Sequence, residues 1–539
     1  MHRLAQLDHH YIWHPFTQMR DWLKREPIVI VEGDGALLRD VDGKEYLDAN
    51  SSIWTNLHGH NHPKINRAIQ RQLKRVAHTS ALGLANEPAS LLAAKLIEMA
   101  NPPPDANARG PRITHHASRL TKAFFSDDGS TAMEVALKLA YEFARRTGKS
   151  RKPKFISLAG AYHGDTIGAV SLGHIDLFHS AYSGLLFRSD RVAAPYCYRC
   201  PHNRAKPERA DAREYRKCNW ECLDTVEQRF RAQKKRGNAY AGFVFEPLIQ
   251  GAAGMIPQPE GWLRRACEIA RGNGALLIAD EVLTAFGRAT SFVPTDFAGP
   301  SQFERNGSPH TAESGRSFAK PGQPGPPKGG TPNGPAPTYP LAYSPTHPPL
   351  LASRYECVQP DLVALAKGLT GGYLPMAVTL TSQPIFDAFL GEYEQFRTFF
   401  HGHSYTGNQL GAAAALASLA LLESPASVQT RARLQKTLSH ELQDLWALPN
   451  VGDIRQVGSM VGIELVKDWR TRQPFALAEQ AGIRVCQAMA KLGVLTRPIG
   501  NVIVLMPPFC TTVAQVRTMV AAAGEAIGRT FAGKALAGS

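Results

Sequence analysis

The chain has 539 residues, of which 43% are hydrophobic and 20% charged, and a formal net charge of +15. This composition is typical of a globular protein of roughly two to four structural units and excludes a disordered or fibrous chain. The sequence has no apolar run of membrane-spanning length and no apolar segment near Met1 of the kind a secretory signal contains. Basic residues are spread along the chain without an aromatic RNA-binding motif, which indicates a basic surface and argues against a nucleic-acid site.

In chain order, the first stretch with a predicted role is residues 124–138, which reads as a strand, a glycine-containing turn and a helix. The turn would leave the amides of Gly129, Ser130 and Thr131 unpaired at the positive end of the helix dipole, where a phosphate group is favoured. Ser130 and Thr131 add hydroxyl donors. An ordinary helix cap is the alternative interpretation.

The cysteines come next. Eight cysteines do not make a disulfide scaffold in so long a chain, and without a secretory signal they predict free thiols and a cytoplasmic protein. Within the segment 196–223, Cys197, Cys200, Cys218 and Cys222 form a C-x2-C pair followed by a C-x3-C pair. Four thiolates at this spacing can bind structural zinc. Because the second pair departs from the usual C-x2-C, we expect four free thiols in a surface loop and no metal.

Four apolar runs predict buried strands, at residues 155–158, 241–245, 275–279 and 362–366. Their alternation with helical patterns predicts an α/β fold, with a mostly parallel sheet flanked by helices. In such sheets ligands bind beyond the carboxyl ends of the strands. Glu246, Asp280 and Lys367 follow three of these runs directly and are therefore candidate site residues.

Asp280 and Lys367 suggest a particular chemistry. A buried carboxylate needs a cationic partner, and the protonated pyridine nitrogen of pyridoxal 5'-phosphate (PLP) would be one. An ion pair with Arg288 or a helix cap is the alternative for Asp280. A lysine in a dry pocket loses pKa and becomes a nucleophile, and the glycines that follow Lys367 let backbone approach a bound ring. A solvated strand-end lysine is the alternative for Lys367.

The rest of the chain divides by composition. Residues 290–353 are rich in proline, glycine and serine and predict a disordered surface insertion. Strand-like runs at 458–466 and 502–506 around a helix at 477–492 predict a small α+β domain.

Eight motifs, in order along nearly the whole chain, resemble those of the class III (ω-type) aminotransferases, which are PLP enzymes of fold type I. They are WHPFTQM at 13–19, SSIW at 51–54, AYHGDT at 161–166, EPLIQG at 246–251, DEV at 280–282, AKGLTGG at 366–372, HGHSYTGN at 401–408 and TRPIG at 496–500. The first of them is most similar to the branch of the family that acts in biotin synthesis. Ornithine, GABA and diamine aminotransferases remain the alternatives within the family, and a PLP-binding protein without turnover is an alternative outside it.

The resemblance implies a PLP site in which Lys367 is the Schiff-base lysine and Asp280 the partner of the pyridine nitrogen. It also implies that Tyr162 stacks on the cofactor, that Gly129 and Ser130 form the phosphate-binding turn, that Glu246 belongs to the cofactor site, and that Gly402, His403 and Ser404 reach the phosphate of a neighbouring subunit. A homodimer follows from the last of these. The division into domains that the resemblance implies is 1–75 (N-terminal part of the small domain), 76–400 (large PLP-binding domain), 401–425 (cofactor loop and helix of the large domain) and 426–539 (C-terminal small domain).

For the substrates, the resemblance implies that Arg497 binds the carboxylate of 7-keto-8-aminopelargonate and that Ile53 and Trp54 line the substrate pocket. The product would be 7,8-diaminopelargonate. Phe16 and Ile53 stand where some members have tyrosine and tryptophan, which removes two groups that contact the amino donor. We expect S-adenosylmethionine as the donor, with lysine as the alternative.

Overall fold

The computed structural model describes residues 1–101, 119–289 and 349–532. The predicted insertion lies outside these ranges except for residues 349–353. Within the described residues, no single helix has the length and apolar composition of a membrane span. One pair of helical segments, Gln409–Leu422 and Pro425–Ala447, reaches this length and apolar composition only when the two are counted together, and the pair is bent where they join.

The N-terminal part of the chain holds short elements. They are α1 (Arg3–Tyr11), α2 (Met19–Trp22), β1 (Ile30–Asp34), β2 (Leu37–Asp40), β3 (Glu45–Asp48), the single turn α3 (Ser51–Trp54) and α4 (Pro63–Leu73).

The middle of the chain alternates strands and helices. Its elements are α5 (Glu87–Ala100), β4 (Leu120–Ser126), α6 (Gly129–Arg146), β5 (Lys154–Leu158), α7 (Ile167–Leu172), α8 (Asp176–His179), β6 (Asp190–Val192), α9 (Ala212–Tyr215), α10 (Glu221–Lys235), β7 (Tyr240–Phe245), β8 (Ile249–Gln250), β9 (Ile256–Pro257), α11 (Trp262–Gly272), β10 (Leu276–Asp280), β11 (Leu362–Leu365), β12 (Ala377–Ser382), α12 (Gln383–Asp387) and α13 (Gln409–Leu422).

The C-terminal part returns to an α+β pattern. It contains α14 (Pro425–Glu441), β13 (Val451–Val457), β14 (Met460–Asp468), β15 (Gln473–Pro474), α15 (Ala481–Lys491), β16 (Val494–Leu495), β17 (Pro498–Ile499), β18 (Val502–Leu505) and α16 (Val513–Phe531).

A seven-stranded sheet forms the centre of the molecule, in the order β4-β12-β11-β10-β7-β5-β6. The strands β11, β10, β7, β5 and β6 pair in parallel, as predicted, and the four predicted apolar runs coincide with β5, β7, β10 and β11 to within one residue. The strand β12 is antiparallel to both of its neighbours. The connection from β11 to β12 contains no crossover helix, and a parallel return would need one.

Alternate residues of the central strands face different helices. Leu362 and Ala364 of β11 pack in one apolar cluster with α6, whereas Val363 and Leu365 pack in the other, which includes residues of α5, α11 and α13. Because both faces are covered, these strands consist of continuous apolar runs. With β4 parallel to β11, the carboxyl ends of six strands meet at one edge.

The described residues also form three smaller sheets, of which the shortest is the antiparallel pair β8 and β9. The strands β13, β14, β18 and β17 form an antiparallel sheet that β15 extends. A four-stranded sheet has the order β1-β2-β3-β16, and β16 pairs in parallel with β3. The two ends of the chain therefore build one sheet together. The division into domains at residues 75, 400 and 425 stays a prediction.

A buried arginine joins the C-terminal sheet to the hairpin of β8 and β9. The Arg455 guanidinium lies 3.0 Å from Asp453 and 2.7 Å from Glu464. It also donates to the backbone carbonyls of Gly254 at 2.6 Å and Met255 at 2.8 Å. The charges are thus paired, and the remaining guanidinium protons bind main-chain oxygens of the other unit, as a buried ion group requires.

Candidate active site

A cavity of about 420 Å³ lies at the carboxyl edge of the central sheet. The loops after β4, β5, β7, β10 and β11 each contribute to its wall. The residues used below are Gly129 and Ser130 after β4, Tyr162 and His163 after β5, Glu246 after β7, Asp280 at the end of β10 and Lys367 after β11. The topology thus brings together side chains that lie up to about 240 residues apart in sequence.

The turn before α6 offers unpaired amides. Asp128 caps the helix by accepting from the amide of Thr131 at 2.9 Å, and the Thr131 hydroxyl accepts from the amide of Asp128 and donates to its carbonyl. The prediction that Thr131 offers free donors to a phosphate was therefore wrong, because the helix cap uses both of them. Among the described residues, the amides of Gly129 and Ser130 donate to no other group. A Cβ at Gly129 would lie 2.8 Å from a methyl of Val282, so only glycine fits without displacement. The helix start can therefore bind an anion.

Asp280 is buried and has a defined partner. Its Oδ2 accepts from Nδ1 of His163 at 2.7 Å, and its Oδ1 accepts from the amide of Val282 at 3.1 Å. Arg288, the alternative partner considered from the sequence, instead donates to the backbone carbonyls of Asn56 and Pro507. The carboxylate is thus fixed in orientation by a histidine and an amide.

Tyr162 and the residues after it link two walls of the cavity. The Tyr162 hydroxyl donates to Asp165 at 2.8 Å, and burial followed by this hydrogen bond raises the pKa of the phenol. The amide of Asp165 donates to the hydroxyl oxygen of Ser130 at 3.1 Å. The Ser130 hydroxyl keeps its own proton available for a ligand.

Lys367 follows β11 with a φ of +40°. Burial lowers the pKa of its amine, against the opposing effect of Asp280 and Glu246. Its Nζ lies 5.6 Å from the ring centroid of Trp54. The chain then passes so close to Asn56 that a Cβ at Gly372 would lie 2.9 Å from the Asn56 backbone. Burial thus favours the neutral, nucleophilic form of this amine compared with an exposed lysine.

Glu246 is a buried acid beside this amine. Burial raises its pKa to about 7. Its Oε2 accepts from the amide of Gly251 at 2.8 Å, while Oε1 has no hydrogen-bond partner among the described residues. Near neutral pH the side chain therefore exists partly as the neutral acid.

The turn α3 brings Trp54 to the cavity in an unusual conformation. All four residues Ser51–Trp54 have positive φ, between 46° and 70°. Asp48 accepts from the amide and the hydroxyl of Ser52 at 3.1 and 3.0 Å, and from His60 at 2.9 Å. The indole N–H of Trp54 donates to Asn50 at 2.8 Å. These bonds offset the cost of left-handed backbone in residues with a Cβ.

The arrangement fits PLP on three observations. The amides before α6 and the Ser130 hydroxyl suit a phosphate, Asp280 suits a protonated ring nitrogen, and Lys367 suits attachment to an aldehyde. The cavity volume of about 420 Å³ lies within the range of small-molecule sites.

Comparison with known proteins agrees with this geometry. The family profile described as Aminotransferase class-III matches residues 19–299 and 349–527. The chain belongs to the class-III aminotransferases.

Members of this family resemble the chain over almost its whole length. A relative from Geobacter sulfurreducens, named adenosylmethionine-8-amino-7-oxononanoate aminotransferase, is 41% identical over 96% of this chain and 95% of its own. A relative of the same name from Nitratidesulfovibrio vulgaris is 43% identical, over 96% of this chain and 80% of its own.

Solved structures agree. That of adenosylmethionine-8-amino-7-oxononanoate aminotransferase from Methanocaldococcus jannaschii has a TM-score of 0.77 at 33% identity and covers 98% of both chains. A PLP-bound amine transaminase from an uncultivated Pseudomonas species has a TM-score of 0.76 at 29% identity, covering 96% of this chain and 99% of that one. The large and small units follow the class-III fold.

Some predicted site residues of this class-III chain lie away from the cavity. Arg497 is exposed between β16 and β17, and Ile53 is 43% exposed; neither lines the cavity. Ile499, two residues after Arg497, packs in the same apolar cluster as Trp54. The segment of Arg497 therefore runs near the pocket although its side chain points elsewhere in this state.

The predicted cofactor loop is also outside the cavity of its own chain. Gly402, His403 and Ser404 do not line it, and Nδ1 of His403 lies 2.9 Å from Asp127. Their predicted role concerns a neighbouring subunit, and it stays a prediction.

Two residues with a clear place in the site were missed from the sequence. His163 orients Asp280, and Asp165 connects Tyr162 to Ser130. Both lie in the AYHGDT motif, of which only Tyr162 was predicted as a site residue. A histidine and an aspartate immediately after a predicted ring-stacking residue were the available signal.

The four cysteines of the segment 196–223 lie together at a second, smaller cavity. Its volume is about 20 Å³, and Cys197, Cys200, Cys218 and Cys222 all line it. All eight cysteines of the chain are free thiols. Among the described residues, no three histidine, cysteine or acidic side chains are already gathered in a metal-ligating arrangement.

Proposed function

We propose that this chain transfers an amino group to 7-keto-8-aminopelargonate, also called 8-amino-7-oxononanoate, and so makes 7,8-diaminopelargonate for biotin synthesis. PLP is the cofactor and S-adenosylmethionine the amino donor. The observation that carries the chemistry is the buried amine of Lys367, facing one cavity with the His163-bound carboxylate of Asp280. The substrate assignment is supported by the names of relatives that are up to 43% identical.

The residues would hold the cofactor in a defined way. The amides of Gly129 and Ser130, with the Ser130 hydroxyl, bind the phosphate. Asp280 keeps the ring nitrogen protonated, Tyr162 covers the ring, and Lys367 is the attachment point. When bound, PLP supplies an electron sink that stabilises negative charge at the carbon bearing the amine.

Lys367 also moves the proton. With cofactor and donor bound, Nζ would accept the proton from the amine-bearing carbon of the donor. Burial, which lowers the pKa of Lys367, increases the neutral fraction that can accept this proton. In the second half of a ping-pong cycle the same atom returns a proton to the carbon of the acceptor that receives the amine.

The acceptor would be bound at both ends. Arg497 is assigned to its carboxylate, because a guanidinium forms two parallel hydrogen bonds with that group. The side chain must turn inward from its exposed position to do so. Trp54, at the mouth of the cavity, provides an apolar wall for the alkyl chain.

We further propose that the chain works as a homodimer in the cytoplasm. Several large apolar side chains are strongly exposed in the single chain, among them Trp13 (87%), Leu82 (90%), Phe400 (75%) and Tyr405 (61%). Apolar surface of this kind favours an interface. Two of these side chains flank the loop of His403 and Ser404, which in a dimer would contribute to the partner's phosphate site. Eight free thiols suit a reducing compartment.

The decisive experiment assays 7-keto-8-aminopelargonate with S-adenosylmethionine and with lysine in parallel, and with ornithine and GABA as further donors. We expect 7,8-diaminopelargonate from S-adenosylmethionine. If 7,8-diaminopelargonate forms with lysine but not with S-adenosylmethionine, lysine is the amino donor. Amino transfer from ornithine or GABA, with none to 7-keto-8-aminopelargonate, would overturn the acceptor.

A matched set of variants tests the site. Lys367→Ala and Lys367→Arg should both lose turnover, because neither side chain can attach the cofactor and move the proton. Lys154→Ala, at the exposed start of β5, should remain active. An active Lys367→Ala enzyme would contradict the proposed chemistry.

A further inference from the structure

The segment between β6 and α10 has little regular structure. Its described elements are a 3-10 turn at Cys197–Arg199 and the four-residue helix α9. A small apolar cluster of Cys197, Tyr198 and Ala212 is its own core. Segments with so small a core are commonly held by a cross-link or a metal.

Four thiols meet where the segment begins and ends. Cys197 and Cys200 lie at its start and Cys218 and Cys222 at its end, and all four line the cavity of about 20 Å³. The two limbs also contact each other directly, since the amide of Arg204 donates to the carbonyl of Lys217 and the amide of Lys217 donates to the side chain of Asn203, both at 2.9 Å. The four thiols therefore lie between two limbs that the fold already holds together.

We propose that Cys197, Cys200, Cys218 and Cys222 bind one structural Zn²⁺ ion that closes this segment. Four sulfur ligands in two close pairs suit the tetrahedral coordination of zinc. Among the described residues no three of these side chains are placed so that they could hold a metal ion, so the proposal requires the thiols to converge when the ion binds. Cys200 and Cys218 are half-buried, so their side chains can turn inward toward the buried Cys197 and Cys222 as the ion enters.

A buried indole supports the assignment independently. Trp262 is fully buried, and its N–H has no hydrogen-bond acceptor among the described residues. Its neighbour is the sulfur of Cys222. A buried donor without an acceptor is costly, and a metal-bound thiolate is an acceptor that would satisfy it.

The surrounding charge also suits a tetrathiolate. Zinc with four thiolates carries a net charge of −2, which needs nearby cations when it is partly buried. Arg216 lines the cavity beside the four cysteines. Arg216 and Arg265 both stack on Trp220, at 4.8 and 5.3 Å from its ring centroid.

The ion would stabilise the contact between this segment and the C-terminal sheet. Arg209 donates to the carbonyls of Val451 and Leu448, both at 2.6 Å, and Arg199 pairs with Glu464. The two cavities share no lining residue. We therefore expect zinc to affect stability and not the chemistry at Lys367.

Elemental analysis of the full-length protein, made in zinc-supplemented cells without chelator, tests the proposal. We expect about one zinc ion per chain. Cobalt in its place should give the intense visible bands of a tetrahedral thiolate site. Removing the metal with a chelator should lower the melting temperature.

Variants identify the ligands. Cys200→Ser and Cys218→Ser should lose the zinc, whereas Cys357→Ser, a half-buried cysteine outside the cluster, should retain it. Trp262→Phe should weaken zinc binding by roughly 10- to 100-fold, as expected for a residue hydrogen-bonded to a ligand. Protein that binds no zinc on addition, that keeps zinc in both serine variants, or that holds these cysteines as disulfides would overturn the proposal.

Discussion

At the scale of single residues, the hydrogen bond between His163 and Asp280 determines how firmly Asp280 can bind the protonated pyridine nitrogen of PLP. The Nδ1 to Oδ2 distance is 2.7 Å, and both side chains are buried. A hydrogen bond to a charged group contributes about 1.5–3 kcal/mol. Without it, Asp280 would lose both its orientation and part of its stabilisation as an anion.

We therefore expect His163→Phe to lower kcat by about 10- to 100-fold and to weaken PLP binding. His163→Asn can still donate one hydrogen bond to Asp280 and should recover most of the loss. Steady-state kinetics and the absorbance of the bound cofactor measure both effects. Equal activity of the phenylalanine variant and the native enzyme would show that the histidine only fills space.

Glu246 makes stability depend on pH. Burial raises its pKa to about 7 in the folded chain, above the ordinary value of 4.5. The folded state therefore holds its proton more tightly than the unfolded state. The stabilisation is complete below about pH 4.5 and is lost as pH rises to about 7, with a total of roughly 3 kcal/mol.

The Glu246→Gln side chain stays neutral at every pH, so this variant should not lose stability between pH 4.5 and pH 7. Its unfolding free energy without PLP, relative to the native chain, should increase from pH 5 to pH 7 and stay constant above that. Denaturant titrations across this range measure the difference. Glu260→Gln, at an exposed glutamate, is the control and should show no such trend. A constant difference between Glu246→Gln and native would contradict the argument.

At the scale of elements, the turn α3 depends on one carboxylate. Asp48 accepts four hydrogen bonds, from Asn50, His60 and twice from Ser52. The turn holds Trp54 near Lys367. The left-handed backbone of Ser52 and Ile53 is unfavourable unless these bonds compensate for it.

Asp48→Ala should lower the unfolding free energy by about 1–3 kcal/mol and raise the KM for the keto acid, because Trp54 is no longer held. Asp40→Ala is the matched control. Asp40 is also buried in the N-terminal sheet and accepts from Tyr46 at 2.8 Å, but it does not contact the turn. Thermal unfolding together with kinetics separates the two. If both variants changed KM equally, the turn would not be the cause.

The elements show what the sequence could predict. The strands β7 and β10 are covered on both faces, so their continuous apolar runs were a strong signal. The turn α3 was not predictable, because isoleucine at 53 locally disfavours positive φ. That conformation is held partly by the Ser51 hydroxyl, which donates to the carbonyl of Met506 far along the chain. The hydrogen bond between Asp280 and His163 could not be predicted either, because the two residues are 117 positions apart in the sequence.

At the scale of the whole molecule, the family resemblance gave the fold class and the large and small units correctly. The pairing of β3 with β16 could not be read from local pattern, since both are short and lie at opposite ends of the chain. Arg497 follows β16 directly. The position of the proposed carboxylate-binding residue therefore depends on the assembly of both ends, and not on the central sheet.

The proposed dimer makes a prediction about two chains at once. If Ser404 serves the partner's phosphate site, one complete site consists of Lys367 from one subunit and Ser404 from the other. Lys367→Ala and Ser404→Asp should each be inactive as homodimers, the second because its added charge repels phosphate.

Coexpression of Lys367→Ala with Ser404→Asp should restore activity. Each mixed dimer has one intact site, and random pairing gives about a quarter of the native activity per chain. The matched control is Lys367→Ala with Asp280→Ala, in which both sites of the mixed dimer keep one defect and no activity should return. Assays of the coexpressed pairs, with the two subunits carrying different tags for isolation, measure this directly. An inactive mixed dimer of the first pair would show that Ser404 acts within its own chain or has no role at the phosphate.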